Sequence, residues 1–65
     1  MKPTTIAVLR RTYQQLQYLA DELYTEFQSA LDNNDFLDAS LLEAMANKIF
    51  EEAESLDTLI SELEV

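Results

Sequence analysis

The chain has 65 residues with no Cys, His or Gly and a formal net charge of −9, which excludes disulfides, zinc sites, thiol or imidazole catalysis and glycine-rich phosphate loops. An apolar content of 48% with a single Pro is too high for a disordered tail and too poor in turn formers for a sheet, so the expected fold is all-α. The acidic balance disfavours nucleic acid and anionic membranes as partners and favours a basic protein surface.

Charge changes along the chain. Residues 1–20 carry Lys2, Arg10 and Arg11 and no acid, whereas residues 21–65 hold all 13 acids against Lys48, so the first segment is +3 and the remainder −12. The N-terminus lacks the basic start, apolar run and small-residue cleavage site of a signal peptide, and no stretch approaches the roughly 18 apolar residues of a membrane span. The expected location is the cytoplasm.

Pro3, Thr4 and Thr5 mark a helix start, because a Thr oxygen can accept from a free amide of the first turn. The first helix is predicted over about 4–31. Along it Ile6, Leu9, Tyr13, Leu16, Ala20, Leu23, Phe27 and Ala30 alternate spacings of three and four, the heptad pattern of a coiled-coil seam. Leu19, Tyr24 and Leu31 widen the stripe.

The run stops at Asp32, Asn33, Asn34 and Asp35, a polar cluster of turn formers. Either Asn33 or Asn34 can take the left-handed conformation that ends a helix where Gly is absent. Asp35 can cap the next helix, and Asp38 adds favourable charge to its first turn. The turn is therefore expected at 32–35.

The second helix is predicted over about 36–63, with a seam at Leu42, Met45, Ile49, Glu52, Leu56, Leu59 and Leu63. A second row, Ala39, Ala46, Ala53 and Ile60, lies beside it. The charged Glu52 either tilts outward while Ala53 packs inward, or fixes register as a buried polar group, or meets a base on a partner.

Helices of about 28 residues are each near 42 Å long at 1.5 Å per residue, and a lone hairpin cannot bury stripes this wide. A domain this small buries only about 60% of its unfolded surface. The sequence thus predicts one helical-hairpin domain over 1–65, an antiparallel two-helix hairpin that dimerises into a four-helix bundle with a second copy or another helical protein. With the turn centred between Asn33 and Asn34, Arg10 and Arg11 are expected beside Glu54 and Asp57.

Other constellations read as surface. Glu51, Glu54 and Asp57 fall at three-residue spacing on the solvent side, and a carboxylate diiron bundle needs Glu-x-x-His pairs facing inward. Tyr13, Tyr18 and Tyr24 are spaced five and six apart without a basic groove, so they do not form a stacking platform for bases. Tyr13 is expected in the core, Tyr18 and Tyr24 at an amphipathic rim, and Phe50 at an interface. No cofactor, metal or enzymatic activity is expected. Tyr18, Tyr24, Phe50, Glu51, Glu54 and Asp57 form the expected partner surface.

In size, hairpin and heptads the chain resembles the Rop type of RNA-binding dimer, which implies pairing of two hairpins. That family contacts RNA through basic residues along one face, and here Tyr13, Gln14, Gln15, Gln17 and Tyr18 stand where further bases would be wanted. The segment Asn34-Asp35-Phe36-Leu37-Asp38-Ala39, with Ala46, is similar to the turn of a tetratricopeptide repeat, although Glu43 replaces the usual aromatic. That likeness implies a hairpin. The functional expectation is a small non-enzymatic interaction module acting through an apolar helical surface. The alternatives are an acidic inhibitor that occupies a basic nucleic-acid-binding protein and a Rop-like RNA binder.

Overall fold

A computed structural model describes residues 2–64. It contains two helices, α1 (Pro3–Asp32) and α2 (Phe36–Leu63), packed against each other as a hairpin, and no strand among the described residues. The start of α1 differs from expectation. Lys2 is the cap residue, with extended backbone and no side-chain cap, and Pro3 occupies the first helical position. Pro suits that place because its fixed φ is helical and its missing N–H would have been unpaired anyway. The Lys2 carbonyl accepts from the Thr5 and Ile6 amides at 3.0 and 3.3 Å, leaving Thr4 and Thr5 inside the first turn.

At the other end the chain reverses through Asn34, whose φ of 60° is left-handed. The Asn34 N–H donates to the Leu31 carbonyl at 3.1 Å and the Asp35 N–H to the Ala30 carbonyl at 2.8 Å. These paired bonds satisfy two carbonyls that the end of α1 would leave open. Asp35 is the cap residue of α2, but its side chain makes no capping bond. Its carbonyl accepts from the Ala39 amide at 2.9 Å, and Asp38 lies in the first turn of α2.

The packing seam follows from which side chains lose solvent. In α1 these are Ile6, Leu9, Tyr13, Leu16, Ala20, Leu23, Phe27 and Ala30, together with Tyr24; in α2 they are Ala39, Leu42, Ala46, Ile49, Ala53, Leu56, Ile60 and Leu63. The second list corrects the expected seam, which ran through Met45, Glu52 and Leu59, all of them exposed. α2 is rotated so that Ala39, Ala46 and Ala53 make the tightest contact with α1. Small side chains at every seventh position let the backbones approach, and the rotation keeps the Glu52 carboxylate in water, where its charge is cheapest to hold. Ala46 is fully buried.

The facing register also differs from the simple expectation. Arg10 reaches Glu64 rather than Asp57, and Tyr24 reaches Asn47 rather than Glu43. The cause is geometric. Each Cα–Cβ bond leans toward its own helix N-terminus, so in an antiparallel pair the two leans add, and a residue of α1 meets one farther along α2 than the backbone count gives.

Candidate interaction surface

The hairpin measures 48 × 15 × 12 Å, two helices wide and one thick. Such a slab has no interior beyond the seam, so the character of its two broad faces decides what it can do. One face is polar. Across it Arg10 pairs with Glu64, the Tyr24 hydroxyl donates to Asn47 Oδ1 at 2.8 Å, and Gln17 Nε2 donates to the Tyr13 hydroxyl at 2.8 Å. Asp57 lines the same groove as Arg10 and Glu64, and Phe50 lies over Gln17, Ala20 and Tyr24. Glu54 shares the heptad row of Asn47 and Ser61. The Arg10–Glu64 pair is exposed on both sides, so it contributes about 0–1 kcal/mol.

The opposite face is apolar. A groove on it is lined by Thr12, Leu16, Glu52, Ser55, Leu56 and Leu59, and a separate hollow nearer the turn is lined by Asp38, Leu41 and Leu42. Heptad spacing adds Leu9, Leu23, Ile49 and Leu63 to the floor of the face and Val8, Leu19, Glu26 and Met45 to its margins. Leu19, Met45 and Leu59 remain 46%, 50% and 45% exposed. Leu31, Phe36, Leu37 and Phe50 are exposed elsewhere on the hairpin, so large apolar side chains meet solvent on more than one side.

The expected partner residues therefore separate. Tyr24, Phe50, Glu54 and Asp57 belong to the polar face, and Tyr18 and Glu51 lie by heptad position on the outer sides of α1 and α2. Tyr18 hydrogen-bonds with Glu22, and that bond together with the Glu22 charge holds the phenol above its ordinary pKa. The exposed Leu19, Leu41, Met45 and Leu59 lie outside the residues expected at a partner surface. Their signal was present as the excess width of the stripe, but assigning it to one face required the rotation of α2.

Among the described residues no group of three or more acids is poised to hold a metal ion, and no helix is long and apolar enough to cross a membrane. No protein-family model, curated protein or solved structure matches the chain.

Proposed function

We propose that the chain is a cytoplasmic, non-enzymatic protein–protein interaction module that works by laying its apolar face against a helical surface. The exposure of Leu19, Met45 and Leu59 beside the seam, with Leu41 nearer the turn, supports this reading. Burying such a face releases water from apolar surface, at about 25 cal/mol per Å², and needs no reacting group. The acids of the polar face keep the free module soluble.

The test compares the native chain with Leu59→Glu. Leu59 sits at the edge of the groove, so the substitution leaves the Ala seam intact while placing a charge where a partner must dry the surface. The native chain should self-associate, or else bind a hydrophobic dye such as anilinonaphthalene sulfonate. Leu59→Glu should lose most of either signal with unchanged helical circular dichroism. A native chain that stays monomeric and binds no dye overturns the proposal.

A second reading is supported by the net charge of −12 over residues 21–65: the acidic surface of the chain would occupy a basic nucleic-acid-binding protein. Salt separates the two, since a charge-based complex weakens steeply with ionic strength and apolar docking does not.

A further inference from the structure

The occupant of the apolar face can be specified further, on the basis of the interaction module proposed above. We infer that a second copy of the chain covers it, related by a two-fold axis crossing the middle of the face near Leu19 and Glu52. The two turns then lie at opposite ends, and each Glu52 stands beside its own copy.

The free hairpin exposes 4973 Å², against about 4,200 Å² for a compact folded monomer of this mass. The surplus, about 770 Å², is of the order that each partner buries in a stable interface, room for one covering chain.

The pattern along the face selects the arrangement. Thr12, Leu19 and Glu26 form one heptad row of α1, and Met45, Glu52 and Leu59 form the matching row of α2. The Tyr24–Asn47 hydrogen bond sets Leu19, five residues before Tyr24, level with Glu52, five residues after Asn47. If the copies lay with their turns at the same end, α1 would face the partner's α2. Thr12 would then oppose Leu59, Leu19 would oppose Glu52, and Glu26 would oppose Met45, a polar group against an apolar one at every level.

With the turns at opposite ends, each helix faces its own copy. Leu19 then meets Leu19, Thr12 meets Glu26, and Met45 meets Leu59, so apolar meets apolar and polar meets polar. One conflict remains, Glu52 against Glu52. The charged groups facing Glu52 are that copy across the axis and Lys48 one turn back on α2; α1 presents Thr12, Leu16 and Leu19. Two like charges brought face to face as the surface dries repel, so this pair is the one contact that weakens association.

Solution mass and cysteine cross-linking test this directly. Because the chain has no Cys, Glu52→Cys provides a single thiol, and a disulfide forms only where two Cα atoms come within about 7 Å. Oxidation should join Glu52→Cys into a covalent dimer and leave Glu54→Cys, on the polar face, unlinked. Separately, Glu52→Gln, which removes the two facing like charges, should tighten association about tenfold. Glu54→Gln should change affinity by less than about twofold.

A native dimer in which Glu52→Cys does not cross-link, or in which Glu52→Gln binds no tighter, overturns the arrangement. A chain that is monomeric at all concentrations overturns the second copy as occupant. If that monomer still binds the hydrophobic dye, the interaction module survives with a different partner; if it binds none, both proposals fall.

Discussion

Asn34 and Ala46 show how single positions set this fold. A left-handed residue is needed where α1 gives way to the turn, and Asn34 supplies it at a φ of 60°. Asn tolerates that region better than most residues, but Gly has no Cβ to strain there. Asn34→Gly should therefore stabilise the hairpin by about 0.5–1 kcal/mol, raising Tm by several degrees in thermal circular dichroism. An unchanged or lower Tm would mean that the Asn34 side chain does more than permit the turn. Ala46, with no exposed surface, sits where the helices come closest. Ala46→Leu should push them apart and cost about 1–3 kcal/mol, seen as a lower urea midpoint. A midpoint that did not move would show that the helices have room to spare at that level.

Among the two elements, α1 was the more legible. Its three-and-four spacing runs unbroken from Ile6 to Ala30 with no charged residue in it, and all eight of those residues lose solvent. α2 carries two adjacent apolar rows, and side-chain size misleads there. Met45 and Leu59 look like core, yet the row that packs is the one holding Ala39, Ala46 and Ala53. Hydrophobicity alone does not distinguish the row that packs from the row left exposed; the Glu52 charge does, because the seam rejects it. The turn cluster placed the reversal within a residue or two, and left-handed Asn34 was one of two choices open. The register was not legible from counting, since the lean of side chains toward each helix N-terminus shifts every facing pair.

At the scale of the whole molecule, the radius of gyration is 14.9 Å, against about 11 Å for a compact domain of this length. The hairpin is an open slab with one polar and one apolar side. The width of the apolar stripe was legible in the sequence, whereas the division of the hairpin into two unlike faces was not. Tyr24, Phe50 and Asp57, expected at a partner surface, sit with Tyr13, Gln17 and Arg10 on the polar face. A small core also means that folding and association are coupled, so helix content should fall with dilution if the second copy supplies missing burial.

The most direct measurement is the solution mass by light scattering over a dilution series, with helical circular dichroism recorded on the same samples. A mass twice that of the 7.5 kDa chain at high concentration, with mass and helicity falling together on dilution, is the predicted result. A fully helical monomer at every concentration would contradict the claim that the apolar face is closed by a second copy.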